Sequence, residues 1–168
     1  MSQVNRRVGD KVQNRPVVLT KTPEANVAIF ALLLNFPWEI LQAPLYAGMA
    51  EASHAQATRA CLRATLGDGA IMLLAYGAVA ACARSRHWIL APRRWQLVLF
   101  VAIGMVVTAA IEWLSTRGLW VTSWAYLPAM PLLPGTGIGL VPLAQWLVLP
   151  LLTVWFVRRQ LAVIVPGR

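Results

Sequence analysis

Four long apolar runs dominate the pattern of hydrophobic and polar positions along the chain. They cover 26–49, 69–83, 96–114 and 139–157. A bilayer has a hydrocarbon core of roughly 30 Å, which a helix of about 20 apolar residues crosses. The second run is short, and Leu66 or Trp88 would have to extend it. The pattern predicts an all-α, polytopic integral membrane protein: a bundle of four transmembrane helices.

The connections between the runs differ in character. Residues 50–68 are rich in Ala and predict a helix lying along the membrane interface. Residues 116–138 hold two Trp, one Tyr and a dense set of Pro and Gly. This composition excludes a regular helix and favours the headgroup level, so we expect an extracytoplasmic aromatic loop that dips towards the bundle. One transmembrane domain, 26–158, then lies between two tails, 1–25 and 159–168.

Composition supports the same class of protein. Apolar residues make up 58% of the chain and charged residues 12%, with a mean hydropathy of +0.61. Such a chain has too little polar surface for a water-soluble globule. Its two cysteines, Cys61 and Cys82, form neither a disulfide framework nor a metal-ligand spacing. The sequence contains no HExxH, GxSxG, P-loop or GxGxxG motif, so it predicts no metal site and leaves any cofactor unknown.

The net charge of +9 comes from fifteen Lys and Arg, nearly all in the segments between the runs. Twelve fall before the first run, after the fourth run and in the connection between the second and third runs, whereas Arg59, Arg63 and Arg117 fall on the other side. The positive-inside rule therefore predicts a multi-pass protein of the plasma (inner) membrane with both termini cytoplasmic. Because the cations flank the spans, this pattern argues against a nucleic-acid partner.

Polar residues inside the runs converge on one depth. With about 1.5 Å of rise per residue, Glu39 lies roughly 18 Å and Glu112 roughly 22 Å above the inner surface of the membrane. Tyr76 and Gln145 each lie about 10 Å below the outer surface, which is a similar depth. Helical spacing adds polar stripes to this layer: Asn35, Glu39, Gln42 and Tyr46 on the first run; Asp68, Met72 and Tyr76 on the second, with Asp68 at the outer mouth; Thr108, Glu112 and Ser115 on the third.

Glu39 and Glu112 are the candidate catalytic residues. Low-dielectric surroundings and mutual repulsion would keep at least one of two buried carboxyls protonated, so that it could donate a proton to a substrate or carry one across the membrane. The candidate polar layer or substrate-binding residues are Asn35, Gln42, Tyr76, Gln145, Trp38 and Trp113. In the alternative interpretation the carboxyls only hydrogen-bond between helices and the tryptophans only pack.

Prolines within the runs predict a pocket. Pro37 removes a backbone donor and frees the carbonyl of Leu33, which bends the helix two residues before Glu39. Pro44, Pro142 and Pro150 are expected to act in the same way. Broken helices at membrane depth are tolerated where they line a cavity, so we expect a pocket that opens outward.

Two fragments resemble known proteins. "FPWE" is similar to the Pro-x-Glu element of membrane-embedded carotenoid cyclases, and "IEWLSTRGLWVTSWAY…GIGLVPLAQW" resembles the Glu…Gly-x-Trp-x-Tyr…Pro-x-x-x-Trp spacing of related carotenoid hydratases. The resemblance covers about forty residues. It implies acid chemistry on an isoprenoid double bond, with Glu39 and Glu112 as the matching carboxyls. Where the cyclase element continues with a second carboxyl, this chain has Ile40.

Three functions follow from these observations. The first is an intramembrane enzyme that uses Glu39 and Glu112 on a lipid or isoprenoid. The second is a small proton-coupled transporter, which with four helices would have to dimerise to enclose a path. The third is a non-catalytic accessory subunit or assembly factor of a larger membrane complex. The corresponding partners are the lipid bilayer, a hydrophobic substrate or pigment, a second copy of the chain, or a membrane complex.

Overall fold

The computed structural model describes residues 21–164, and these form a bundle of four long helices. The helices are α1 (Pro23–Gln42), α2 (His54–Ala83), α3 (Arg94–Ser115) and α4 (Leu140–Ile164). Single 3₁₀ turns follow α1 at Ala43–Leu45 and precede α3 at Trp88–Leu90, and two short strands, β1 (Leu132–Leu133) and β2 (Ile138–Gly139), pair as a hairpin. Each long helix is a candidate membrane span by length and composition. The predicted all-α four-helix bundle is confirmed.

The bundle has two chemically distinct ends. At one end α1 and α3 finish and α2 and α4 begin; we call it the cavity end. At the opposite end, the Arg86 end, Arg86 contacts Glu24 near the start of α1, and the Arg158 side chain near the end of α4 donates to the Leu90 carbonyl. The long helices therefore run alternately up and down, as the short connections require.

The first helix begins three residues before the predicted run 26–49 and ends well before its end. Pro23 occupies its first turn, where the missing N–H costs nothing, although the Thr22 side chain makes no capping bond. Pro44 has no backbone N–H to donate to the Ile40 carbonyl, and the chain continues as a 3₁₀ turn at Ala43–Leu45, so α1 ends at Gln42 and not at Met49. Pro37 and Pro150 lie inside helices, as expected. Pro44 interrupts the predicted span 26–49, because the α-helix ends there. Pro142 lies in the first turn of α4, where a missing N–H breaks no bond within the helix, so the prediction that Pro142 bends a span is wrong.

The second helix is much longer than predicted. It begins at His54 after a capping box between Ser53 and Gln56, and no proline interrupts it before Arg84, which ends it in a left-handed conformation. Residues 54–68 are therefore the first half of α2 and not a separate interfacial helix. At about 1.5 Å per residue α2 is roughly 45 Å long, which exceeds a bilayer core and implies tilt or protrusion.

The connection from α3 to α4 contains no regular helix, as its Pro and Gly content predicts. This segment, residues 116–139, we call the cap loop. Its backbone pairs with the chain just after α1: the Ala47 N–H donates to the Ala125 carbonyl at 2.9 Å, and the Leu127 N–H donates to the Leu45 carbonyl at 2.9 Å. The loop therefore folds back onto the bundle instead of extending away from it.

A small residue opposite a large one sets the approach of α3 to α4. Trp146 is 1% exposed and packs against Gly104, where an added Cβ would come within 1.9 Å of the indole. This contact fixes the first turns of α4 and hence the position of the neighbouring Gln145. Towards the Arg86 end the core continues through Met72, Phe100 and Trp88.

The last helix continues past the predicted span. It runs to Ile164, so residues 158–164, which were predicted mainly as tail, are helical. The remaining parts of the predicted tails, 1–20 and 165–168, lie outside the described residues. Among them are five cations used in the orientation prediction: Arg6, Arg7, Lys11, Arg15 and Arg168.

Candidate functional site

A cavity of about 600 Å³ lies at the cavity end, between the four helices and the cap loop. Three carboxyls line it: Glu39 from α1, Asp68 from α2 and Glu112 from α3. Much of the remaining wall is apolar and comes from α2, α3, α4 and the two neighbouring loops, including Ala43, Met49, Ala64, Ile71, Ile111, Trp120, Trp124 and Pro142. Arg63 on α2 also lines the cavity. Its volume lies within the usual range for sites that bind small hydrophobic molecules.

One amide joins three helices beside this cavity. The side-chain nitrogen of Gln145, on α4, lies 2.7 Å from Asn35 Oδ1, 2.8 Å from Asp68 Oδ2 and 3.3 Å from Glu39 Oε1. It has two N–H bonds for three acceptors, so these acceptors share its protons. Gln42 also donates to Glu39 Oε1, at 2.6 Å. The predicted stripe of Asn35, Glu39 and Gln42 therefore faces inward and meets Gln145.

Glu39 and Asp68 form a pair of carboxyls. Their side chains lie within hydrogen-bonding reach of each other, and only neutral amides accompany them. A hydrogen bond between two carboxyls requires a proton on one of them, because an ionised carboxylate only accepts. This pair is therefore suited to hold one proton. Within residues 21–164, no group of three or more His, Cys, Asp or Glu could hold a metal ion.

Glu112 has different surroundings, because its neighbours are hydrogen-bond donors from the cap loop. Its Oε2 accepts from the Trp124 indole at 3.1 Å and from the Tyr126 hydroxyl. Burial, followed by the neighbouring Glu112, raises the pKa of Tyr126, so the phenol stays protonated and donates. The Gly139 N–H in turn donates to the Tyr126 oxygen at 3.2 Å, and the Tyr46 hydroxyl lies within reach of Glu112. Such donors stabilise an ionised carboxylate.

Tyr76 does not join this layer, contrary to the depth prediction. Counted along their helices from the Arg86 end, Glu39, Asp68, Glu112 and Gln145 lie roughly 22–29 Å away, and Tyr76 only about 10 Å. Its hydroxyl contacts Glu24 and the Arg86 carbonyl at the opposite end of the bundle. The prediction was wrong because it began the second span at Gly69, whereas α2 begins at His54 and shifts every later depth.

The two candidate tryptophans lie away from the cavity. Trp38 is half-buried, and among the residues the structure describes its indole N–H has no hydrogen-bond partner. Trp113 is 42% exposed and lies under the guanidinium of Arg117 at 4.3 Å. Neither belongs to the described wall of the cavity. Their role in substrate binding stays a prediction, and their positions fit packing or contact with lipid.

Sequence reasoning missed several residues of the site. Asp68 was placed at the outer mouth, but the capping signal Ser53…Gln56 would have started α2 correctly and brought Asp68 to the level of Glu39. Trp124 and Tyr126 were assigned to a membrane-surface loop. Their bonds to Glu112 depend on how the cap loop folds back, for which the sequence holds no periodic signal.

Comparison with known proteins adds no relative to these observations. No protein-family model, no curated protein and no solved structure matches this chain.

Proposed function

We propose that this protein is an intramembrane enzyme that performs acid–base chemistry on an isoprenoid or another lipid. The observation that carries the proposal is the meeting of three carboxyls in one largely apolar cavity of about 600 Å³. Buried carboxyls are costly unless paired or used, and ionisable groups in a cleft are where acids and bases are found. An apolar cavity selects a hydrophobic substrate.

The two kinds of carboxyl surroundings suggest two roles. The Glu39–Asp68 pair holds a proton and is the acid. Its proton adds to a carbon–carbon double bond, whose π electrons form the new C–H bond and leave a carbocation on the neighbouring carbon. Glu112, whose ionised form accepts hydrogen bonds from Trp124 and Tyr126, stabilises that cation and then removes a proton from an adjacent carbon. The substrate gains one proton from the pair and loses one to Glu112, and the pair regains its proton from Glu112 through water before the next turnover. The substrate therefore undergoes no net oxidation or reduction, and the reaction needs no oxidant or cofactor.

The fragments that resemble carotenoid cyclases and hydratases fit this proposal. In the Pro-x-Glu element, Ile40 stands where a second carboxyl is expected. Asp68 supplies a second carboxyl to Glu39 from another helix. Trp120 and Trp124, which line the cavity, add aromatic faces of the kind that stabilise cations.

We further propose that the cavity end faces outward from the plasma membrane. Arg84, Arg86, Arg93, Arg94, Arg158 and Arg159 all lie towards the Arg86 end, which the positive-inside rule assigns to the cytoplasm. In a chain whose own cysteines are changed to serine, Thr122→Cys should react with an impermeant thiol reagent in intact cells and Ser85→Cys only after permeabilisation. The reverse pattern would refute this orientation.

The enzymatic proposal is tested by lipid analysis of cells that express the protein alongside isoprenoid precursors. We expect a lipid product with the wild-type chain and a fall of about 10²–10⁴-fold in its formation with Glu39→Gln or Glu112→Gln. Glu51→Gln is the matched control, because Glu51 is an exposed loop glutamate and should leave product formation unchanged. Unchanged turnover in both Glu39→Gln and Glu112→Gln, with the protein folded, would overturn the proposal.

A further inference from the structure

Two polar atoms on the cavity wall are buried and unpaired. Gln42 is 5% exposed and Thr108 is 7% exposed, and both side chains line the cavity. Among residues 21–164, neither Gln42 Oε1 nor Thr108 Oγ1 has a hydrogen-bond partner. Buried polar groups in proteins are nearly always paired, so two unpaired ones on side chains that line one cavity indicate a ligand that pairs with them.

The orientation of each group is fixed by its neighbours. The Gln42 amide donates to Glu39 Oε1 at 2.6 Å, which leaves its own Oε1 as a free acceptor. Thr108 lies one turn before Glu112 on the same face of α3. Helical threonines often donate to the carbonyl four residues earlier, as Thr65 does to Cys61 and Thr116 to Glu112, both at 2.8 Å. Within the described chain Thr108 makes no such bond.

These two groups select the chemistry of the ligand. Gln42 Oε1 needs a donor, which a pure hydrocarbon lacks. A carboxylate or phosphate is only an acceptor at neutral pH, so it cannot donate to Gln42 Oε1, and the three carboxyls that line the cavity outnumber Arg63, the cation on its described wall. An ammonium group donates but cannot accept from the Thr108 hydroxyl. An alcohol hydroxyl does both, since it donates one hydrogen bond and accepts others.

We propose that the cavity binds a lipid alcohol, whose hydroxyl donates to Gln42 Oε1 and accepts from Thr108 Oγ1. Its apolar chain lies along the wall formed by Ala43, Ile71 and Ile111. The inference rests on the proposed function in treating this cavity as the substrate site. It adds to that function a polar end group, which fixes the ligand beside the Glu39–Asp68 pair.

The test is direct binding of matched probes to the purified full-length chain in lipid nanodiscs. The probes are farnesol, the hydrocarbon farnesene and farnesylamine, which share a chain and differ in the end group. Quenching of Trp120 and Trp124 fluorescence would report occupancy. We expect farnesol to bind about tenfold more tightly than farnesene, as one or two neutral hydrogen bonds allow. Thr108→Val should remove that preference and leave farnesene binding unchanged.

Thr153→Val is the matched control. Thr153 is also fully buried with no partner among the described residues, but it is not part of the described cavity wall. Both valine variants should keep or raise the Tm of the protein without ligand, which shows that they fold. Only Thr108→Val should change the farnesol-to-farnesene ratio.

Three outcomes would overturn the inference: equal affinity for farnesol and farnesene in the wild type, an unchanged ratio in Thr108→Val, or tighter binding of farnesylamine than of farnesol. Binding is measured without turnover, so this test is separate from the enzymatic one. If Glu39→Gln and Glu112→Gln keep full turnover while farnesol binds as expected, the proposed function fails and the lipid-alcohol site stands.

Discussion

Two polar clusters lie at opposite ends of the bundle and use the same types of side chain. The Arg86 end has a glutamate, a tyrosine and a tryptophan together with an arginine: Glu24, Tyr76, Trp88 and Arg86. The cavity end also has glutamate, tyrosine and tryptophan, but no arginine in contact: Glu39, Glu112, Tyr126 and Trp124, with Asp68. Residue type alone therefore does not distinguish a structural cluster from a candidate site.

At the Arg86 end each polar group is matched. Glu24 and Arg86 form an ion pair at 2.7 Å, and the Tyr76 hydroxyl bonds to Glu24 and to the Arg86 carbonyl. The Trp88 indole donates to the Tyr76 carbonyl at 3.3 Å, and the two rings stack at 5.8 Å. The cluster ties the start of α1 to the connection after α2. Its role is therefore structural.

At the cavity end no carboxyl of the described residues forms an ion pair, although Arg63 lines the same cavity. Over residues 21–164 the Glu24–Arg86 contact is the single ion pair, so Glu39, Asp68 and Glu112 are held by neutral donors and by one another. They also line a cavity of about 600 Å³, which the Arg86-end cluster does not. A paired charge is already neutralised by its partner, whereas unpaired carboxyls beside open volume are available to exchange protons with a ligand.

The largest expected effect that would test this contrast is that of Asp68→Asn. The amide keeps the shape of the carboxyl but removes the shared proton, so turnover should fall by about 10²–10⁴-fold. The same change removes a charge-bearing group from a poorly solvated pair, so the Tm should rise. Product formation and thermal unfolding of the same preparation measure both. Normal turnover, or a clear loss of stability, would contradict the assignment of Asp68 to an acid pair.

Asp68 also shows how far the sequence predicts this site. The stripe of Asn35, Glu39 and Gln42 was predicted correctly, because helical periodicity places side chains relative to one another within one helix. The depths of Asp68 and Tyr76 were wrong, because depth depends on where a helix starts and α2 starts earlier than its apolar run. Periodicity predicts which residues share one face of a helix. The depth of those residues in the membrane also requires the start of the helix, which the capping residues indicate.

Contacts between segments distant in sequence could not be predicted from the pattern of hydrophobic and polar positions. The bonds from Trp124 and Tyr126 to Glu112 depend on an irregular loop whose path is set by backbone pairing with residues 45–47. The contact of Gly104 with Trp146 joins α3 and α4, and the hydrophobic pattern of one helix does not predict which residues of the other it contacts. Fold class and polar faces were therefore predictable, whereas the partners of each carboxyl were not.

Gly104→Ala tests whether the two ends depend on one packed core. The new Cβ would lie 1.9 Å from the Trp146 ring, so α3 and α4 must separate, at a cost of about 3 kcal/mol or more. Unfolding by denaturant and tryptophan fluorescence would measure the loss. Gly77→Ala is the matched control, because a Cβ there meets nothing within 4 Å and α2 should gain up to about 1 kcal/mol. Equal stabilities of the two variants would show that the contact is not a constraint.

Replacing Tyr126 or Tyr76 by Phe compares the two ends with the same substitution, and the expected effects are smaller. Tyr126→Phe leaves Glu112 without one donor and the Gly139 N–H without its acceptor, which should cost about 1–3 kcal/mol and lower turnover. Tyr76→Phe should lower stability by a similar or smaller amount and leave turnover unchanged, because it acts at the far end. Assays of product formation and thermal stability on both variants separate the ends. A loss of turnover in Tyr76→Phe equal to that in Tyr126→Phe would break the contrast.

The smallest expected effect is that of Glu24→Gln. The ion pair with Arg86 has both side chains well exposed, at 38% and 57%, and such pairs contribute little. We expect a small fall in Tm at low salt that disappears near 1 M salt, where the Debye length is about 3 Å. Turnover should not change. Thermal unfolding of Glu24→Gln and Glu39→Gln across a salt series compares the two ends directly. Glu24→Gln should lower the Tm by an amount that depends on the salt concentration. Glu39→Gln should not lower the Tm, and its Tm should depend on salt much less. If the Tm of Glu24→Gln falls by the same amount at every salt concentration, Glu24 stabilises the protein through its hydrogen bond with Tyr76 and not through its charge.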